Sequence, residues 1–266
     1  MSTASEQALS PLPSQGREPD RSAFAHFVAR LRALTFLGAT FGSVLAIGFW
    51  LVPLAIIFDK PDWLKVPCAL WARIILPLMG VRVKVIGNEN LVDPAPRLFV
   101  PNHQSFLDIP LMMGWVRFPA FLAKKEIASW PWFGWSMKVL RCVFVDRKDR
   151  HSRGGAGGSI KAVLAQGFDF CIFPEGTRSF DGVILPMRPG AFQIAIDAGA
   201  LITPVLIDPT WRILNKKGYR MWAGEVVISI LPPIPTAGLH APDRKALADS
   251  IEADMRVELD RLRNRK

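Results

Sequence analysis

The chain has 266 residues, and 33 basic against 23 acidic side chains leave a formal net charge of +10. Half of it is apolar and 21% is charged, which excludes a disordered chain and is enough to bury a core without disulfides or a structural metal. Cys68, Cys142 and Cys171 form no C-x-x-C pair, so neither a disulfide scaffold nor a zinc ribbon is indicated, and three reduced thiols are expected.

A mean hydropathy of +0.22 beside a pI near 9.9 is an unusual combination. Nucleic-acid binders are basic but seldom this apolar, whereas proteins on anionic membranes can be both. Nine tryptophans against one tyrosine agree, because Trp favours the lipid–water interface.

Residues 1–22 are polar and rich in Ser, Pro and Gln, and they read as a disordered lead-in. No apolar core lies close to the start, which argues against a cleaved signal peptide. Residues 33–58 then run for 26 residues without a charge, and about 20 suffice to span a bilayer. Gly38-x-x-x-Gly42 permits close helix approach, and Pro53 predicts a kink near the end. Arg21, Arg30 and Arg32 upstream are balanced by Lys60, Lys65 and Arg73 downstream, so charge gives no orientation. A tie suits a segment whose ends return to one face. Residues 63–80, apolar but interrupted by Lys65 and Arg73, supply an interfacial return. The expectation is a helix pair dipping into one leaflet rather than a single span.

From residue 81 the pattern changes. V-R-V-K-V-I (81–86) alternates with period two, as a half-buried strand does. Apolar runs at 97–101, 120–123, 142–145, 168–173, 201–207 and 226–231 predict further strands, with helices at 159–166 and 190–198. That alternation predicts an α/β domain with a mixed central sheet flanked by helices. Leu247, Ile251, Met255 and Leu259 at spacing four predict an amphipathic helix over 243–265, with Asp243 as its cap. The organisation is then a lead-in (1–22), a membrane-associated helical region (23–80) and an α/β domain (81–266). H-S-R-G-G-A-G-G (151–158) fits neither phosphate-loop pattern and reads as a flexible linker before a helix capped by Ser159. No G-x-S-x-G elbow is present.

Two constellations carry chemistry. Asn102-His103-Gln104-Ser105-Phe106-Leu107-Asp108 follows the strand-like Leu98–Val100. A histidine and an aspartate at a strand exit suit a general base and its orienting carboxylate. Residues five apart on one helix diverge by roughly 140°. The pair therefore meets only if His103 lies in the turn and Asp108 in the first turns of the helix. Phe173-Pro174-Glu175-Gly176-Thr177-Arg178-Ser179 also follows a strand. There Gly176 admits close backbone approach and Arg178 offers a planar fork for phosphate. Read singly, each is equally a capped turn with surface charge pairs.

Together they are more specific. His103-x-x-x-x-Asp108 followed by Phe-Pro-Glu-Gly-Thr-Arg resembles the glycerolipid acyltransferase family, most nearly its bacterial 1-acylglycerol-3-phosphate acyltransferases. Lys124-Lys125-Glu126-Ile127 through Trp130–Trp135 is similar to the family's K-K-E-L…P-x-F-G-W segment. Phe144-Val145-Asp146-Arg147 is similar to F-I-D-R, and Gly190-Ala191-Phe192 and Thr203-Pro204-Val205 to later segments. Two departures stand out. Arg141 occupies a position where family members often have Gly. Met187-Arg188-Pro189-Gly190-Ala191-Phe192 replaces their F-K-x-G-A-F.

The resemblance implies transfer of a fatty acyl group from acyl-CoA or acyl-carrier protein to the free sn-2 hydroxyl of 1-acylglycerol 3-phosphate, giving phosphatidic acid for phospholipid synthesis. It implies His103 as base and Asp108 as its holder. Lys124, Lys125, Arg147, Glu175, Gly176, Thr177 and Arg178 would bind substrate, with Glu175 positioning Arg178 or the glycerol. Asn102 or backbone amides would stabilise the oxyanion. No cofactor, metal or protein nucleophile is implied. The partners are the lysophospholipid, the acyl donor and membrane lipid, not nucleic acid, and the site faces the cytoplasm. Alternatives are transfer to another lysolipid such as lyso-ornithine lipid, a lipid hydrolase, and a catalytically silent membrane-binding protein.

Overall fold

The computed structural model describes residues 22–146, 149–214 and 220–264. Helix α1 (Ala23–Ile57) begins where the Ser22 side chain accepts from the Ala25 amide, and it runs through Pro53. Arg30 and Arg32 lie on it rather than before it. A short turn leads into α2 (Asp62–Leu78). The N-terminal half of α1 packs on the body through Ala29, Ala33 and Phe36, and the Met221 amide donates to the Ala29 carbonyl at 2.9 Å. The far half is exposed at Phe41, Leu45, Phe49, Trp50, Ile56 and Ile57. Helix α2 carries an exposed stripe at spacing four, Val66, Leu70, Ile74 and Leu78, while Leu64, Ala72 and Leu76 face inward. Of the described helices, α1 alone is long and apolar enough to cross a membrane, and only 18% of its most apolar window is buried.

The body is a seven-stranded sheet in the order β1-β7-β6-β2-β5-β3-β4. Its strands are β1 (Val81–Ile86), β2 (Arg97–Pro101), β3 (Ala120–Lys124), β4 (Val143–Val145), β5 (Phe170–Cys171), β6 (Leu201–Asp208) and β7 (Gly224–Ile230). Strands β6, β2, β5, β3 and β4 run parallel; β7 is antiparallel to β6 and parallel to β1. The sheet is therefore mixed, as expected. Alternate residues of β2 face opposite layers. Leu98 and Val100 join α5 (Arg150–Ala165), α6 (Gly190–Ala198) and α8 (Arg244–Asn264), whereas Phe99 joins α1, α2 and α3 (Asp108–Trp115); α4 (Phe133–Val139) lies between β3 and β4. With both faces covered, β2 reads as a continuous buried run.

Two expectations need correction. Residues 151–158 are not a linker but part of α5. Ala156 and Ile160 are buried in the core, and a Cβ at Gly157 would stand 3.6 Å from Ile194 of α6. Packing of the small-residue face therefore overrides the poor helix propensity of glycine. Asp243 does not cap α8; it accepts the His240 amide at 2.7 Å and closes the 3-10 turn Ala241–Asp243. The lead-in 1–21 and Arg147 lie outside the described residues.

Candidate active site

Parallel strands place their C-terminal ends along one edge, where open α/β sheets bind ligands. Along that edge lie the exits of β6, β2, β5, β3 and β4, and with them nearly every residue singled out from the sequence. The β2 exit is locked first. Asn102 donates through Nδ2 to the Ile207 carbonyl at 3.0 Å and accepts the Ile207 amide at 2.8 Å. Its side chain thus acts as one more rung between β2 and β6. Both amide ends are occupied, so the expected oxyanion role for this side chain is not supported.

His103 comes next in the turn, and Asp108 opens α3, the placement the five-residue spacing requires. His103 Nδ1 stands 2.8 Å from Asp108 Oδ2. The same oxygen accepts the amides of Gln104 and Ser105 at 2.7 and 2.8 Å, while Oδ1 accepts the Thr210 hydroxyl at 2.6 Å. Asp108 is fully buried at a helix N-terminus, where a carboxylate is favoured. Its acceptor role toward Nδ1 fixes the tautomer with the proton on that nitrogen and leaves the Nε2 lone pair free. The His103 ring stacks on Phe173 with centroids 4.0 Å apart, and its side chain is 17% exposed.

The turn after β5 wraps the histidine backbone. Glu175 Oε1 accepts the His103 amide at 2.7 Å, and the Ser179 amide donates to the His103 carbonyl at 2.8 Å. Glu175 Oε2 accepts the Leu185 amide at 3.2 Å. Each Glu175 oxygen thus accepts a backbone amide, and the carboxylate ties the turn after β5 to the His103 backbone. Burial pushes its carboxyl up to about 7, opposed by those two amides, raised further by Asp108 and lowered by Arg256. Gly176 has φ +71°, and a Cβ there would stand 2.9 Å from Cζ and Nε of Arg188. The Arg188 guanidinium thus lies flat on the glycine, and its amide donates to the Pro174 carbonyl at 3.0 Å. Arg178 stacks on Phe106 with Cζ 3.9 Å from the ring centroid. Thr177 is exposed between them.

The flanking lysines are less closely integrated. Lys124 ends β3 and stands 3.7 Å from Glu126, and Lys125 opens the next 3-10 turn. Strand β5 separates them from β2. Among the described residues, no group of three His, Cys, Asp or Glu side chains is arranged to hold a metal ion. The sequence reading missed Thr210, the Phe173 stacking and the placement of Arg188. No local motif signals Thr210, which is 102 residues from Asp108.

A base and its buried carboxylate at the parallel edge, beside an arginine-bearing turn, define a class of group-transfer enzyme. A profile described as Acyltransferase matches residues 82–208. The human 1-acyl-sn-glycerol-3-phosphate acyltransferase alpha is 34% identical over 184 residues, covering 67% of this chain and 64% of its own length. A 1-acyl-sn-glycerol-3-phosphate acyltransferase of Chlamydomonas reinhardtii is 32% identical over 257 residues, 92% of this chain and 76% of that protein. The crystal structure of the 1-acyl-sn-glycerophosphate (LPA) acyltransferase PlsC from Thermotoga maritima superposes with a TM-score of 0.74 at 26% identity, covering 90% of this chain and 97% of the other. The chain belongs to the glycerolipid acyltransferase family, and it spans just under two thirds of the length of the human relative.

Proposed function

We propose that this protein transfers a fatty acyl group from acyl-CoA or acyl-carrier protein to the sn-2 hydroxyl of 1-acylglycerol 3-phosphate, giving phosphatidic acid for phospholipid synthesis. The observation that carries the reading is the 2.8 Å contact between His103 Nδ1 and buried Asp108, in a chain of this family. His103 Nε2 accepts the proton of the acceptor hydroxyl as its oxygen attacks the thioester carbonyl. The new C–O bond forms, the C–S bond breaks, and the imidazolium returns the proton to the departing thiolate. Asp108 holds the ring and stabilises the imidazolium. An imidazole is the side chain suited to taking up and returning a proton near neutral pH.

Arg178 binds the acceptor phosphate, joined by Arg188 on Gly176 of the same turn, by Lys124 and Lys125 from the β3 exit, and by Arg147. Gly176 and Thr177 present backbone to the headgroup, and Glu175 serves by fixing the His103 backbone. The α1–α2 pair enters one leaflet from the cytoplasmic side, so that the lysolipid arrives from the bilayer and the donor from the cytoplasm. The exposed apolar faces of both helices support contact with lipid.

The test is purified full-length protein in vesicles, offered lysophosphatidate or lyso-ornithine lipid with each donor. Phosphatidic acid is the expected product. Transfer confined to lyso-ornithine lipid, or release of free fatty acid without transfer, overturns the reading.

A further inference from the structure

We infer that Thr210 is a positioning residue for the His103–Asp108 pair, holding the carboxylate through its second oxygen. The inference rests on the acyl-transfer reading above. Asp108 Oδ2 is saturated by His103 Nδ1 and two backbone amides. Among the described residues, the one donor to Oδ1 is the Thr210 hydroxyl, at 2.6 Å. Both residues are fully buried, so water does not replace that donor. A hydroxyl has one proton to give. The other acceptor near it, Gln104 Oε1, stands at 3.5 Å, so the proton goes to Asp108.

The surroundings hold Thr210 from several directions. It follows β6, whose last residue Asp208 accepts Arg263 of α8 at 2.7 Å and Gln104 Nε2 at 3.3 Å. It opens the short helix α7 (Thr210–Ile213), whose Ile213 is buried. The Leu214 amide donates back to the Thr210 carbonyl at 3.0 Å, and the Leu214 carbonyl accepts the Ser105 hydroxyl at 2.6 Å. The segment carrying Thr210 is therefore tied to the His103 turn at Gln104, Ser105 and Asp108. A carboxylate with one oxygen undirected can rotate about its Cβ–Cγ bond, which would misaim His103. With Thr210 in place, both oxygens are directed and the imidazole faces one way.

The test compares full-length wild type, Thr210→Val and Thr210→Ser in the vesicle assay, with Thr236→Val as a comparator. Thr236 is equally buried, but its hydroxyl bonds to Ala195 and Ala200 carbonyls on α6 and beyond it. Thr210→Val should lower kcat by about five- to 150-fold, the range for leaving a buried acceptor unpaired, with both KM values unchanged. Thr210→Ser should restore kcat to near wild type. Thr236→Val should lower the melting temperature and leave kcat alone. If Thr210→Val does not fold, Thr210→Ala replaces it under the same criteria. Wild-type kcat in the hydroxyl-free variant overturns the inference, as does a serine variant no better than valine, or a kcat loss matched by both KM values. Absence of transfer by wild type itself would instead sink the acyl-transfer reading.

Discussion

The turn around His103 and the helix pair at the N-terminus satisfy their chemistry in opposite ways. In the turn, Asn102, Asp108 and Glu175 are each at most 3% exposed, and their oxygens have donors within the protein. In the helix pair, large apolar side chains on the far half of α1 and along α2 are exposed, even where Phe49 meets Trp132 of the body at 5.2 Å. Burying apolar surface contributes roughly 25 cal/mol per Å², and an exposed apolar area this extended calls for an outside partner. One region is completed by the fold and the other by its surroundings. Phe168 marks the seam, with Lys65 of α2 and Arg141 of the body both over its ring at 4.8 and 4.3 Å.

The sharpest way to break this contrast is to empty the turn. His103→Ala should cut transfer by about 100- to 10,000-fold, the usual worth of a general base, and Asp108→Asn should lose most activity too. Vesicle binding should be unchanged in both. Near-wild-type turnover in either would remove the pair from the chemistry.

The helix pair is tested by the converse experiment. Leu70→Asp with Ile74→Asp should reduce vesicle binding about tenfold or more, since a charge at the bilayer centre costs about 2.5–3.5 kcal/mol. Melting in detergent should stay constant, because both side chains are exposed. The unaltered protein should also resist 1 M salt, where the Debye length is about 3 Å. Vesicle binding equal to wild type in the double variant would mean that this stripe does not contact lipid.

Arg178→Ala should raise the lysophosphatidate KM by an amount equivalent to about 1.5–3 kcal/mol. Arg178→Lys should raise it less, since the charge stays while the planar fork is lost. The donor KM should hold in both. Equal damage to both substrates would make Arg178 a support for its turn rather than a phosphate ligand.

The last effect is on stability rather than on function and concerns Glu175. Its carboxyl is raised in the folded state from 4.5 to about 7, so the native protein binds the proton more tightly than the unfolded chain. That contribution is complete below about pH 4.5 and fades as pH rises through about 7, a loss of up to about 3 kcal/mol. Glu175→Gln should flatten this part of the stability-versus-pH curve, measured by denaturant unfolding between pH 4 and 8. An unchanged slope would show that Glu175 does not titrate in that window.

Much of this was legible in the chain because it depends on local order. The uncharged run, the period-two strands and the spacing of Leu247, Ile251, Met255 and Leu259 report burial directly. The five-residue interval from His103 to Asp108 required a turn followed by a helix, and that is the arrangement found. The glycine-rich stretch at 151–158 misled because glycine reports backbone freedom, whereas Ala156 and Ile160 of the same helix pack into the core and Gly157 lies against Ile194. Arg141 is the reverse case. Its φ of +61° explains why a glycine is frequent at this position in the family, and its Nη1 bond to Gln166 at 2.6 Å and stacking on Phe168 accompany the strained backbone.

By itself, then, the sequence determined the mixed α/β class, the apolar helices at the front, and the base and carboxylate, since residue type and spacing suffice for each. Only the tertiary structure decided what those groups touch. It set Glu175 as a clamp on the His103 backbone, and it committed Asn102 to β6. It laid Arg188 on Gly176, and it brought Thr210 to Asp108 across 102 residues. The physical reason is that a hydrogen bond needs a donor and an acceptor about 3 Å apart. Between residues this far apart along the chain, that separation is set by strand order and register, which no local pattern encodes.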